Sequence, residues 1–206
     1  MAYPTVSAPY GFKPVNRLDG LPYAGATQLV PIASTYNTAI YNGDLVYITG
    51  GTIAKSGVTD NATTTANLTA GVFMGCQYVN TLGQTVQAQY YPGNVAATSA
   101  KAYVVVDPQA AFKVAVTFSG NTTVTSVTQA AVGVNLAVRQ GTGSATTGDS
   151  AESVVVPSAN AGNAVTLPVK VVSVVPETQI NSTNFCEVLV VLTNPQLSRT
   201  AGNDYA

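Results

Sequence analysis

The sequence predicts a mainly β protein, with an antiparallel barrel or sandwich body, an extended N-terminal arm and few short helices. Short runs of β-branched and aromatic residues recur along most of the 206-residue chain. Gly, Asn, Asp and Pro separate these runs, which is the pattern of strands joined by turns. The spacing leaves no room for the long crossover helices of a parallel sheet, so it favours antiparallel architecture.

The first 25 residues have a different character and are rich in proline. Pro4, Pro9, Pro14 and Pro22 are interspersed with Tyr and Gly, without helical or strand periodicity. Each proline lacks a backbone donor and biases the preceding residue towards extended geometry, so we expect the segment to resist joining a helix or a central strand. Residues 1–25 are therefore predicted to be an extended arm, and residues 26–206 the β-rich body.

The aromatic side chains of the arm decide between two interpretations of it. A disordered terminus is the simpler one, but disordered segments carry few aromatic residues. We therefore expect the arm to order against a neighbouring subunit or against its own domain. The residues expected to make this contact are Tyr3, Pro4, Tyr10, Phe12, Pro14 and Tyr23.

The body follows from residue 27 as a series of strand-like runs. Its length suits one substantial core or two small β subdomains. The predicted strands are Gln28–Ile32, Asp44–Thr49, Val72–Val79, Gln84–Tyr91, Ala102–Val106, Phe112–Phe118, Val134–Val138, Ser153–Val156, Val165–Val175 and Phe185–Leu192.

Turn-forming residues predict how some of these runs connect. The turn Asn80-Thr81-Leu82-Gly83 joins two runs of similar length and predicts a hairpin. Pro168 cannot donate to a strand ladder, so its strand is predicted to start after it or to run along an edge. Thr122–Ala131 is the candidate for a short helix, although its Thr and Val content disfavours one. Residues 56–70 and 140–150 have low complexity and are predicted to be exposed loops.

The composition argues against an enzyme. The chain has no His, no Trp, eight Lys and Arg, and nine Asp and Glu. Acid and base chemistry near neutral pH usually needs a His, or carboxylates and lysines with shifted pKa values. We predict no catalytic residues and no cofactor, and expect function to depend on surfaces.

Charge and hydropathy exclude two further classes of partner. A net charge of −1 and a pI near 5.1 provide no basic field for nucleic acid. The longest apolar runs, such as Val188–Leu192, are far shorter than the roughly 20 residues of a membrane-spanning helix. No secretory signal is visible at the N-terminus, so the chain is expected not to be exported from the compartment where it is made.

The two cysteines are predicted to be buried free thiols. Cys76 and Cys186 each lie in a strand-like apolar run, where cysteine usually behaves as a small hydrophobe. A disulfide would need their Cα atoms within about 7 Å, and the sequence leaves that alternative open. Without His or Cys-x-x-Cys, no metal site is predicted.

Three other motifs have ordinary interpretations. The glycosylation triplets are expected by chance in an Asn/Thr-rich chain, and they begin at Asn61, Asn67, Asn121 and Asn181. Asp149 is expected to accept local backbone donors in an Asx turn or helix cap. Tyr90 and Tyr91 are expected to pack in the core or at an interface, with their rings on opposite faces of a strand. A sugar-stacking role is the less favoured alternative.

Several stretches, taken in order, resemble head decoration or cement proteins of tailed bacteriophages, particularly a group from marine and cyanobacterial podoviruses. They are Tyr10-Gly11-Phe12-Lys13-Pro14-Val15, Gly43-Asp44-Leu45-Val46, Gly71-Val72-Phe73-Met74-Gly75-Cys76-Gln77-Tyr78, Tyr91-Pro92-Gly93, Thr166-Leu167-Pro168-Val169 and Val190-Val191-Leu192-Thr193-Asn194-Pro195-Gln196-Leu197. The chain departs from that family in having Tyr-Pro where Trp-Pro is common, and Asn194-Pro195-Gln196 in place of an Asn-Asn-His-like segment.

The resemblance implies a capsid decoration protein on the outer surface of the mature virion head, made in the host cytoplasm. Its partner would be the major capsid protein, and the family implies a homo-oligomer, with a trimer favoured. The arm and repeated body contacts would stabilise the head against internal DNA pressure. The alternatives are another virion component, such as a tail, fibre or major capsid subunit, and, with less support, a carbohydrate-binding module.

Overall fold

The computed structural model describes residues 6–57, 69–93, 95, 99–118, 127–156, 167–178, 185–193 and 195–197. In this part the chain is mainly β, which confirms the predicted fold class. The strands are β1 (Lys13–Arg17), β2 (Gln28–Pro31), β3 (Leu45–Thr49), β4 (Thr52–Lys55), β5 (Gly71–Val79), β6 (Thr85–Ala88), β7 (Lys101–Val105), β8 (Ala110–Thr117), β9 (Asn135–Leu136), β10 (Val138–Arg139), β11 (Ser153–Val155), β12 (Val169–Val174) and β13 (Glu187–Leu192). No helix among these residues has the length and apolar character of a membrane span.

The larger sheet nearly closes into a barrel. Its strands follow the order β10-β11-β8-β13-β12-β9, and β1 pairs with β8 beside this path. β9 and β10 lie at opposite ends of the order but are separated along the chain only by Ala137. The segment 135–139 therefore pairs with β12 on one side and β11 on the other. β11 runs parallel to β8, whereas the other strand pairs of this sheet are antiparallel. The predicted antiparallel architecture therefore holds for this sheet except at that one pair.

The second sheet is antiparallel and has the order β2-β7-β5-β3-β4, with β6 paired to β5. A parallel bridge between Ile32 and Ile53 brings the β2 end close to β4. The predicted hairpin at residues 80–83 is confirmed between β5 and β6. Asn80 N donates to Gln84 O at 2.9 Å, and Gly83 supplies the positive φ of the turn.

Two hydrophobic cores meet along the second sheet. The first core lies within the larger sheet and includes Phe112 and Val188, whereas the second contains Ile40 and Tyr91. Successive side chains on a strand point to opposite faces, so adjoining apolar residues on β3, β5 and β7 enter different cores. Leu45, Val72 and Val105 enter the first core, and Val46, Phe73 and Val104 enter the second.

Part of the N-terminal segment pairs with the body. β1 pairs antiparallel with β8, with a register shift between Pro14 and Asn16. Pro14 is tolerated because β1 lies off the main strand path and carries this irregularity. The segment was expected to resist joining a central strand and to order against a neighbouring subunit or its own domain. Lys13–Arg17 orders against the chain's own body, as a strand off the main path.

Other predicted boundaries change in ways that local sequence explains. The strand near Pro168 starts at Val169, as predicted from the missing proline donor. The helix predicted over Thr122–Ala131 is a 3-10 turn at Gln129–Ala131, and residues 122–126 lie outside the described residues. The strand β4 was not predicted.

Candidate functional site

The residues predicted to contact a partner do not share one exposed surface. Tyr3 and Pro4 lie outside the described residues. Phe12 is fully buried in the first core, edge-to-face on Phe112 with ring centroids 6.4 Å apart. Phe12 is therefore an anchor of the fold, and its prediction as a partner contact is corrected.

Tyr10 is fixed by a partly buried polar contact. Its hydroxyl donates to a carboxylate oxygen of Glu187, which also lies 3.3 Å from Lys113 Nζ. Burial and the Glu187 carboxylate raise the pKa of Tyr10. The phenol therefore stays neutral and acts as a hydrogen-bond donor within the body.

Pro14 and Tyr23 lie on a short two-stranded segment, which we call the N-terminal ribbon (residues 13–23). The chain folds back at Gly20, whose φ of +82° suits the turn. Arg17 N donates to Leu21 O at 2.8 Å, closing the turn. Tyr23 is half-exposed and packs against the edge of the first core.

The N-terminal ribbon exposes aliphatic side chains. Val15, Leu18 and Leu21 are 45%, 47% and 57% exposed. Leu18 N donates to Gln109 O at 2.9 Å, which holds the tip against the turn before β8. The ribbon therefore carries three exposed aliphatic side chains on a segment that is hydrogen-bonded to the body, next to the ion pair of Arg17 and Asp19.

The second feature is a buried ionic cluster of Asp44, Lys55 and Glu152. The two carboxylate side chains are 0% exposed and the lysine side chain is 13% exposed. Lys55 Nζ lies 2.9 Å from Asp44 Oδ2 and 3.9 Å from Glu152 Oε1. Its ammonium group also lies 5.9 Å from the centroid of the Tyr41 ring. Three ionisable groups therefore share one largely desolvated position.

Hydrogen bonds fix the two carboxylates differently. Asp44 accepts from Tyr41 N at 2.8 Å and from Ser150 Oγ at 2.5 Å. Glu152 Oε2 accepts from Leu45 N at 2.9 Å, whereas its Oε1 is buried without a hydrogen-bond partner. Asp44 is thus held by two donors, and the free oxygen of Glu152 faces the lysine.

The electrostatics of this cluster favour a protonated Glu152. Burial, followed by the negative charge of Asp44, raises the pKa of Glu152 well above its ordinary value. The charge of Lys55 and the Leu45 N–H oppose this shift. One lysine cannot neutralise two buried carboxylates, so a neutral Glu152 carboxyl balances the site.

The segment leading into the N-terminal ribbon crosses the cluster. Gly11 N donates to Glu152 O at 3.1 Å, and Phe12 N donates to Gly43 O at 2.9 Å. A Cβ at Gly11 would lie 2.6 Å from Ser150 Cβ, so a larger residue would not fit there. The N-terminal segment, the loop before β3 and the loop before β11 are therefore locked together.

Asp149 has a different role from the one predicted. Its carboxylate lies 2.9 Å from Lys13 Nζ and accepts from Gln89 Nε2 at 3.2 Å. The local turn is made instead by Ser150 Oγ, which accepts from Glu152 N at 3.0 Å. The Asx-turn or helix-cap prediction for Asp149 is therefore wrong, because the long-range partner Lys13 is better placed.

Sequence reasoning missed the cluster of Asp44, Lys55 and Glu152, although one signal pointed to part of it. Gly50-Gly51 forms the two-residue turn between β3 and β4, with φ of +55° and +75°. Gly-Gly is a hairpin signal, and the resulting register places Val46 opposite Lys55, diagonal to Asp44. Glu152 is remote along the chain, so only tertiary folding brings it there.

The cysteines are free and buried, as predicted. Cys76 lies in the second core and Cys186 in the first. Burial raises the pKa of Cys76 to about 12, and it also raises the pKa of Cys186. Both are therefore packing residues with little thiolate at neutral pH.

The remaining predicted motifs are packed or lie elsewhere. Tyr91 is fully buried in the second core, and Tyr90 stacks on Tyr41 with centroids 5.5 Å apart. The four glycosylation triplets start outside the described residues. Among the residues that the structure describes, no group of three or more His, Cys, Asp or Glu is placed to hold a metal ion.

Comparison with known proteins gives no family assignment. No protein-family model, no curated protein and no solved structure matches this chain.

Proposed function

We propose that the protein is a capsid decoration protein that binds the outside of a mature phage head and stabilises it. The observation that carries this proposal is the pair of exposed leucines at the tip of the N-terminal ribbon, Leu18 and Leu21, which is hydrogen-bonded to the β body. Its partner would be the major capsid protein, contacted through an apolar depression that accepts Leu18 and Leu21.

The anchoring of the ribbon supports a mechanical role. Phe12 is buried immediately before β1, and β1 pairs with β8. A load applied at the tip would pass into a sheet through backbone hydrogen bonds and into a packed core. A cement protein needs such a connection, because a contact on a loose tail would not restrain its neighbours.

The two exposed leucines of the ribbon tip, Leu18 and Leu21, suit repeated weak contacts, and they lie beside the ion pair of Arg17 and Asp19. Burying one leucine contributes about 1.5–3 kcal/mol, so a single tip gives modest affinity. A trimer would present three tips at once, and tethering raises the effective concentration of the second and third contacts. The proposed assembly is therefore a homotrimer that clamps neighbouring capsid subunits.

Point substitutions at the tip test the contact. Leu18→Asn together with Leu21→Asn should weaken head binding more than tenfold, because about 1.4 kcal/mol corresponds to a factor of ten. The matched control is Leu82→Asn, at an 80%-exposed leucine in the β5–β6 turn. Binding would be measured by co-sedimentation with heads that lack the protein. Equal binding of the wild type, the double variant and Leu82→Asn would refute the role of the ribbon.

Deleting residues 1–25 would not be a clean test of the contact. The deletion removes Phe12 from the first core and β1 from its sheet. Loss of binding would then follow from damage to the fold.

Copy number in virions tests the function itself. Quantitative mass spectrometry of purified virions should give a ratio to the major shell protein near one. A ratio of a few per cent would place the protein in a tail or vertex, and absence from virions would overturn the proposal.

A further inference from the structure

The cluster of Asp44, Lys55 and Glu152 has the components needed to form an amide bond. The nucleophile would be the amine of Lys55, and the carbonyl carbon would be Cγ of Asp44, whose Oδ2 lies 2.9 Å from Nζ. Glu152 is fully buried and turns an unpartnered oxygen towards the same amine at 3.9 Å. We propose that Lys55 and Asp44 condense into an intramolecular isopeptide bond and that Glu152 relays the proton.

The number of protons carried by Asp44, Lys55 and Glu152 permits this reaction. With Glu152 neutral, the site holds one ammonium and one carboxylate in direct contact. Transfer of one proton from Lys55 Nζ to Asp44 leaves three neutral groups, which a desolvated environment favours over separated charges. The amine is then a nucleophile, and the carboxylic acid of Asp44 is an electrophile.

The atoms and charges of the condensation balance without a further reagent. Nζ attacks Cγ, and an N–C bond forms as the carbonyl π bond opens onto oxygen. Glu152 gives its proton to the departing hydroxyl and then accepts one from the nitrogen. The C–O bond breaks, one water leaves and Glu152 recovers its initial state, so one ammonium and one carboxylate become one amide and one water.

The donors around Asp44 match the charge that develops in this step. Tyr41 N donates to one carboxylate oxygen at 2.8 Å and Ser150 Oγ to the other at 2.5 Å. Donors held towards a tetrahedral oxyanion stabilise it without reorganisation. The Lys55 side chain is only 13% exposed, so little water solvates the amine.

A second lysine–aspartate pair provides a control within the same chain. Lys13 Nζ lies 2.9 Å from Asp149 Oδ1, at the same separation as in the buried pair. Its side chains are 30% and 39% exposed, and Asn42 Oδ1 also accepts from Lys13 at 2.7 Å. Solvent reaches both side chains, so this pair lacks the desolvation of the buried pair and should remain an ion pair.

Mass spectrometry of the full-length folded protein tests the proposal. The wild-type chain should be lighter than its sequence mass by one water molecule. Trypsin does not cleave after a lysine whose amine is acylated, so peptides 18–55 and 56–101 should be replaced by a joined 18–101 peptide. A succinimide would also lose water but would leave Lys55 cleavable, so the two measurements separate these products.

Substitutions then assign the roles. Lys55→Met and Glu152→Gln should both have the full sequence mass, whereas Lys13→Met should retain the loss of water. Circular dichroism would confirm that Glu152→Gln is folded. A wild-type protein of full mass with cleavage after Lys55 would overturn the bond, and loss of water in Glu152→Gln would overturn the relay.

Discussion

Replacing Phe12 with Ala tests whether the proline-rich N-terminal segment belongs to the core. Phe12 is 0% exposed and packs edge-to-face on Phe112. Truncation removes the ring and leaves a cavity, and buried Phe→Ala changes cost about 3–5 kcal/mol. A chain of this size loses about 2–4 °C of Tm per kcal/mol, so we expect a fall of roughly 6–20 °C.

The assay is urea unfolding followed by circular dichroism, with a thermal melt on the same samples. Leu21→Ala is the matched control, because Leu21 lies in the same ribbon but is 57% exposed. Surface changes of this kind usually stay within about 0.5 kcal/mol. If Phe12→Ala unfolds at the same urea concentration as Leu21→Ala and the wild type, Phe12 is not part of the core and the segment is an arm after all.

Three further predictions concern a glycine, a buried acid and the thiols. Gly43→Ala should destabilise the protein by about 1–3 kcal/mol in urea unfolding, because Gly43 has φ of +96° and its Cβ would lie 2.9 Å from Phe12 N; an unchanged midpoint would contradict this close approach. Because burial raises the pKa of Glu152 in the folded state, its contribution to stability is fully present below the ordinary pKa of 4.5 and declines as pH rises through the folded pKa. Urea midpoints should therefore fall more steeply with pH in the wild type than in Glu152→Gln, and parallel curves would count against the shift. Cys76 and Cys186 should not react with a soluble disulfide reagent until the protein is unfolded, so rapid labelling of the native protein would contradict their burial.

Local chemistry made part of the fold predictable. The hairpin at residues 80–83 and the start of β12 after Pro168 were both predicted, because a turn needs particular residues and a proline cannot donate. The Gly50-Gly51 turn carried the same kind of information and would have predicted β4.

Prolines limited what could be predicted about the N-terminal segment. Pro14 lacks a donor, but β1 pairs with β8 through its other residues and has an irregular register beside the proline. Local composition cannot show that β8 offers an edge, since β8 lies far along the chain. The burial of Phe12 in the first core follows from that pairing and so was also unpredictable.

The sequence by itself determined the β class, because runs of β-branched and aromatic residues and the turn residues between them are local properties. Only the tertiary structure decided that Asp44 and Lys55, near neighbours across one hairpin, would meet Glu152 from a loop remote in the chain. It also decided that the barrel would nearly close through the segment 135–139. Both outcomes depend on which distant strands pair. That pairing is set by the packing of two cores, each of which takes its residues from segments far apart in the sequence.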